Sequence, residues 1–273
     1  MNKRAYAPIG IFDSGIGGLT VVNAVREALP SENIIYFGDT ARVPYGIKSI
    51  DTIREYALEI TDFLLKRDIK LILVACNSVS AAANNEIRRH CGAIPVLDVV
   101  EAGTKAALEQ DSERNSIGVI GTLATVGSGT YEKSIRAIQP NKKIYSKACP
   151  LLVPLAEEGW YNNEVSELVL KKYLDDFIKL NIGSLILGCT HYPLFKMQIE
   201  ELLNGRDTIV IDSALSIAGM AKELLTTKNL LNPAHEKGRF DCFVSDKPQR
   251  FQALAERFLG EKLNKIEIIS LTS

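Results

Sequence analysis

"LILVACNSVSAAANN", residues 71–85, reads as a buried strand that stops at Cys76 and passes through Asn77 and Ser78 into an alanine-rich helix. An unbroken apolar run, as opposed to an alternating one, marks a strand covered on both faces, as in a parallel sheet. Similar runs recur on either side of it: IGIF, NIIYFGD, IPVLDVV, SIGVIGT, KKIYSKAC, SLILGCT, TIVIDS and RFDCFVS. Amphipathic stretches stand between them, among them IREYALEITDFLLKRD (53–68) and SELVLKKYLDDFIKLN (166–181), with apolar residues at helical spacing. Strand and helix in alternation predict an α/β fold with mostly parallel strands.

The chain also resembles itself. "IGIFDSGIGG" near residue 9 is echoed by "IGVIGTLATVGSG" near 117, and "LILVACNS" (71–78) by "LILGCTHY" (185–192). Gly10 and Gly118 are 108 residues apart and Cys76 and Cys189 are 113 apart, so the two offsets roughly agree. The repeat predicts two pseudo-symmetric α/β domains with the active site in the cleft between them. Its boundary falls near VVEAGTK (99–105). We expect residues 99–207 to form the second domain, and residues 1–98 plus 208–273 to form a discontinuous first one. Each half then ends an equivalent strand on a cysteine, and ligands in open α/β sheets collect beyond such strand ends.

Composition narrows the partners. The 273 residues are 46% hydrophobic and 24% charged, with 32 Lys and Arg against 33 Asp and Glu, for a formal charge of -1. There is no basic excess to hold nucleic acid or an anionic membrane, which leaves a small molecule as the expected partner. The opening MNKRAYAPIGIFDSG lacks a signal-like apolar core, and no later run approaches eighteen apolar residues, so a cytoplasmic protein is expected. The five cysteines are widely spread with no C-x-x-C and no short metal-ligand spacing, and no lysine sits in a Schiff-base context. Neither metal nor cofactor is indicated.

Most free cysteines fill cores, and Cys91, Cys149 and Cys242 receive that reading. Cys76 and Cys189 differ because each closes an apolar strand and is followed at once by helix-capping residue types, Asn77 and Ser78 in one case and Thr190 in the other. A helix start favours a thiolate. Two opposed thiols at one cleft suit inversion of a stereocentre, with one base on each face of the carbon. A disulfide couple is the competing reading, made weaker by the wide separation of the two residues.

Carboxylates and a histidine could set the protonation of those thiols. Asp13 and Asp39 end apolar runs, where either could meet a ligand ammonium or a thiol; Glu157 and Glu158 precede a Gly-Trp pair, and His191 lies two residues after Cys189. The loop "DSGIGGLT" fits neither G-x-G-x-x-G nor a P-loop, but it offers N–H groups at a helix start for a carboxylate. "TLATVGSGT" adds hydroxyls, and "PYG" at 44–46 adds an aromatic lid candidate. An amino acid, with its carboxylate and ammonium, suits this mixture better than a sugar.

In order along the chain, "GIFDSGIGGLTV", "YFGDTARVPYG", "ACNSVSA", "GTLATV", "EEGW" and "LGCTHYP" resemble the corresponding segments of the glutamate racemases, in the aspartate/glutamate racemase family. The resemblance implies cofactor-independent, two-base interconversion of L- and D-glutamate for bacterial peptidoglycan, and a homodimer. It implies that Cys76 and Cys189 are the acid/base thiols, with Asp13 beside the first and Glu157 and His191 near the second. By the same comparison Asp13, Ser14, Tyr45, Gly46, Asn77 and Ser78 line the substrate site from the first half, and Thr122, Thr125 and Thr190 from the second. Ser78 stands where many relatives carry Thr, a change that keeps the hydroxyl. Activation through an N-terminal extension, as in some relatives, is not expected. A racemase of aspartate or hydantoins, or a non-catalytic amino-acid-binding module, are the alternatives.

Overall fold

A computed structural model describes residues 3–110, 114–246, 251–263 and 265–271. The first half runs β1 (Ile9–Asp13), α1 (Leu19–Ala28), β2 (Ile34–Gly38), α2 (Ile50–Leu65), β3 (Leu71–Val74), α3 (Asn77–Cys91), β4 (Val96–Asp98) and α4 (Val99–Glu109). The second runs β5 (Ser116–Gly121), α5 (Leu123–Gly127), α6 (Thr130–Ile138), β6 (Lys143–Ala148), α7 (Leu152–Glu158), α8 (Glu164–Leu180), β7 (Ser184–Gly188), α9 (Lys196–Leu202), β8 (Ile209–Asp212) and α10 (Ser213–Thr227). The chain then returns with β9 (Phe240–Val244), α11 (Phe251–Leu259) and β10 (Ile266–Ile268).

The strands form two sheets, ordered β10-β9-β2-β1-β3-β4 and β6-β5-β7-β8, and every pairing is parallel. The unbroken apolar run of β3 is buried at every position, as a strand covered on both faces requires. The two expected helices begin slightly earlier than the periodicity suggests because their caps lie outside the apolar pattern. Ser49 accepts the Thr52 N–H at 3.3 Å ahead of α2, and Asn163 forms a reciprocal capping box with Ser166 ahead of α8. At the other end α2 stops before Asp68, whose φ of 50° has left the helical region.

The order β2-β1-β3-β4 in one sheet matches β6-β5-β7-β8 in the other, so the internal repeat is a repeat of topology. The match continues into the caps: Asp98 accepts the Val100 N–H at 2.9 Å at the start of α4, and Asp212 accepts the Ala214 N–H at 2.9 Å at the start of α10. One expected boundary is corrected. β8 pairs with β7, so a return to the first half at residue 208 comes one strand too early, and the crossing falls after Asp212. A single isolated strand carries no mark of the sheet it will join.

Beyond that point the two linking helices cross. α4 follows the last strand of the first sheet yet puts Val100 and Ala107 into the core of the second half, beside Ile117, Ile186 and Ile211. α10 follows the last strand of the second sheet and packs Ile217, Ala218, Ala221 and Leu225 into the core of the first. The two helices also pack against each other.

Candidate active site

The end of β1 and the end of β3 are neighbours in the first sheet and together build one wall. Cys76 occupies the N-cap position of α3 in extended conformation, and Asn77 and Ser78 already belong to the first helical turn. The expected side-chain caps therefore do not form, because the strand turns into helix within two residues. Cys76 Sγ donates to Ser14 Oγ at 3.4 Å. Asp13, fully enclosed, accepts the Gly15 N–H at 3.0 Å and lies near enough to Cys76 for its charge to act on the thiol.

Burial pushes the Cys76 thiol up to about 12, and the nearby Asp13 charge pushes in the same direction against donors from Ser14 and Val79. The helix start reads in sequence as favouring the Cys76 thiolate, and here desolvation outweighs the helix N–H groups. Burial also raises the Asp13 carboxyl above its ordinary range, partly offset by the His191 charge and by backbone N–H groups.

The end of β7 builds the opposite wall with Cys189, Thr190 and His191. Beyond His191 the chain makes a short 3-10 turn, Tyr192–Phe195, and not the α-helix start the sequence suggested. Tyr192 holds the turn down by donating from its hydroxyl to Gly121 O at 3.0 Å and Cys149 O at 2.9 Å. Cys189 Sγ lies 3.8 Å from His191 Nδ1, and His191 Nε2 lies 3.1 Å from Glu157 Oε1 at the end of α7. Burial alone would lower the imidazole, but hydrogen bonds to Cys189 and Glu157 raise it to about 10, so at neutral pH it carries a proton. The Phe258 ring of α11 closes over it edge-on, with centroids 5.5 Å apart.

The two walls enclose a cavity of about 220 Å³ that both thiols line. Ser14, Tyr45, Gly46, Asn77 and Ser78 face it from the first half. Thr122, Glu157, Thr190 and His191 face it from the second. Two expected lining residues lie elsewhere. Thr125 sits under Thr122, its hydroxyl 3.0 Å from the Thr122 hydroxyl, and Asp13 lies behind Cys76. Asp39 does not line the cavity either: it is buried beneath the cavity loop, accepting from Arg42 Nε at 2.7 Å, Ser245 Oγ at 2.7 Å and the Tyr45 hydroxyl. That last bond occupies the Tyr45 hydroxyl, so Tyr45 meets the cavity as a ring.

The glycine loop also forms a close contact between the two halves. A Cβ on Gly17 would lie 2.3 Å from Thr190 Oγ1 and 2.5 Å from His191 Nδ1, so the missing side chain is what lets the first half close on the second. Thr20, just beyond, donates from Oγ1 to Thr190 O at 3.1 Å. All five cysteines are free and buried, and Cys91, Cys149 and Cys242 lie in hydrophobic cores as expected. Sequence reasoning missed Tyr131, which reaches across from α6 to Asn77, and Phe258; neither belongs to a local motif.

With this geometry in hand, similarity to known proteins is informative. Residues 19–221 match the family model described as Asp/Glu/Hydantoin racemase, so the class is that of the amino-acid racemases, which are isomerases. A glutamate racemase of Chlorobaculum tepidum is 50% identical over 97% of each chain, and one of Syntrophus aciditrophicus is 46% identical over 99% of this chain and all of its own. A crystal structure of glutamate racemase from Francisella tularensis in complex with D-glutamate superposes with a TM-score of 0.91 at 42% identity, covering 98% of this chain and 99% of the other. The chain belongs to the glutamate racemase family.

Proposed function

We propose that the protein interconverts L- and D-glutamate by two-base proton transfer, with Cys76 and Cys189 on opposite faces of the α-carbon and no cofactor in the step. One observation carries this reading: the two thiols end the equivalent strands β3 and β7 of two like sheets and line the same cavity. In each turnover one sulfur takes the α-proton as the C–H bond breaks, and the electron pair left on carbon takes a proton from the other sulfur. Carbon ends with inverted configuration and the two sulfurs exchange protonation.

Asp13 and His191 serve as the proton partners that allow the site to reset. Asp13 accepts or returns the proton of Cys76; the His191 imidazolium, held by Glu157, gives a proton to Cys189, and the neutral imidazole that remains takes one back. An α-proton is far less acidic than a thiol, so donors aimed at the substrate carboxylate must stabilise the charge that develops. Ser14, Asn77, Ser78, Thr122 and Thr190 supply such donors around the cavity, Ser78 and Thr122 standing 3.3 Å apart across the two halves.

In the same reading the enzyme is a cytoplasmic homodimer that supplies D-glutamate for peptidoglycan. Among the described residues no helix is long and apolar enough to cross a membrane. Ile47 and Leu123 line the cavity and stay 74% and 54% exposed, apolar surface that a second copy would cover. Sedimentation of the purified protein checks the dimer.

The reaction is tested by incubating the protein with L-glutamate in D2O without added cofactor. Loss of optical activity by circular dichroism together with α-deuteration by NMR is the expected result. Neither signal changing while glutamate still binds would remove glutamate as the substrate and turn attention to aspartate and hydantoins.

A further inference from the structure

Tyr131 of α6 is fully buried in the second half, yet its hydroxyl donates to Asn77 Oδ1 of the first half at 2.7 Å. The ring is admitted by two bare glycines: a Cβ on Gly188 would lie 3.1 Å from its Cε2, and one on Gly103 would lie 3.4 Å from its hydroxyl. Asn77 itself is 3% exposed and faces the cavity, and its Nδ2 is buried without a hydrogen-bond partner. A buried amide donor left unpaired is costly and uncommon, and one at the wall of a cavity marks where a ligand acceptor belongs.

We infer that Tyr131 is a positioning residue: by occupying Asn77 Oδ1 from the opposite half, it fixes the amide so that Nδ2 is the group presented to the substrate carboxylate. This rests on the reading of the cavity as an amino-acid site. With Oδ1 accepting from Tyr131, the acceptor is turned away from the cavity and Nδ2 is the amide group left to meet an incoming carboxylate, where a second oxygen would repel. The bond also spans the two halves, so the donor is aimed only while they are closed on each other.

The test is a double-mutant cycle on the intact enzyme, using Tyr131→Phe, Asn77→Ala and their combination. Tyr131→Phe should raise KM for glutamate roughly ten-fold with kcat within about three-fold, the pattern of lost binding common to ground and transition states. In the Asn77→Ala background the same change should add less than about two-fold, because Tyr131 then has nothing to aim. An equal cost in both backgrounds, or a fall in kcat with KM unmoved, would overturn the inference.

The side-chain NH2 resonance of Asn77, identified by its loss in Asn77→Ala, should move in Tyr131→Phe before substrate is added; an unmoved signal overturns the tether. A wild type that does not racemise glutamate while that signal still moves sinks the functional reading and not the tether. Should Tyr131→Phe alone fail to fold, the double variant leaves neither partner unpaired. Its comparison with Asn77→Ala then still overturns the inference if the second substitution costs more than about two-fold.

Discussion

Around Cys76 the chain places an acid and a hydroxyl, Asp13 and Ser14; around Cys189 it places an imidazole backed by an acid, His191 and Glu157. The strands that deliver the two sulfurs are topological equivalents, so the backbone offers two like positions and the side chains make them unlike. On the first side burial and a negative neighbour hold the proton on sulfur. On the second a positive neighbour faces the sulfur. In the proposed two-base reaction one sulfur must be empty while the other is loaded, and the two exchange these states at each turnover. The like strands would supply the two faces of attack, and the unlike neighbours would give each sulfur its own proton partner.

The largest effect expected is loss of either thiol. Cys76→Ser and Cys189→Ser should each lower kcat by about 10²–10⁴-fold in both directions while glutamate still binds, as steady-state kinetics and calorimetry would show. Should one variant retain full turnover, the two-base comparison would collapse to one base. His191→Asn should cost on the order of 10²-fold in kcat, since it removes the proton partner of the second side. Asp13→Asn examines the first side by a different readout. Without the Asp13 charge the Cys76 thiol becomes more acidic, so alkylation at pH 8, followed by peptide mass spectrometry, should reach Cys76 faster in the variant.

The smallest effect is a shift along the pH axis. His191 is raised to about 10, so it keeps its proton from neutral pH upward and loses it as pH rises through about 10, where turnover should fall. Glu157 is one of the groups that raises it, so Glu157→Gln lowers its pKa and moves the alkaline limb of the kcat profile to lower pH. A limb that stays in place would mean that another group sets it.

Much of this was readable in the residues, for physical reasons. The apolar run 71–74 and its counterpart at 184–188 are buried because parallel strands are covered on both faces, and that burial is written in the side chains themselves. The pairing of Cys76 with Cys189 was readable because the repeat is local at each end. What could not be read depends on distant partners. Ile209–Asp212 looks like any other short strand, and only its pairing with β7 assigns it to the second sheet. β10 at Ile266–Ile268 is too short and too mixed to announce itself. Tyr131 and Phe258 reach the site from helices whose own sequences speak only of amphipathic packing. The protonation of Cys76 is unreadable for a related reason: a helix start is visible in sequence, but the depth of burial that opposes it is not.

The crossed helices bear on how the molecule comes apart. α4 is continuous with the first sheet and divides its apolar face, with Val99 and Ala102 in the first core and Val100 and Ala107 in the second, while α10 is continuous with the second sheet and packs into the first core. A cut anywhere between β4 and β9 therefore strips at least one half of apolar surface it needs, and neither sheet has a complete core of its own. Two sheets would ordinarily suggest two melting transitions, one for each domain. The exchange of helices fuses them into a single folding unit, so heat or denaturant should take the whole chain down in one cooperative step.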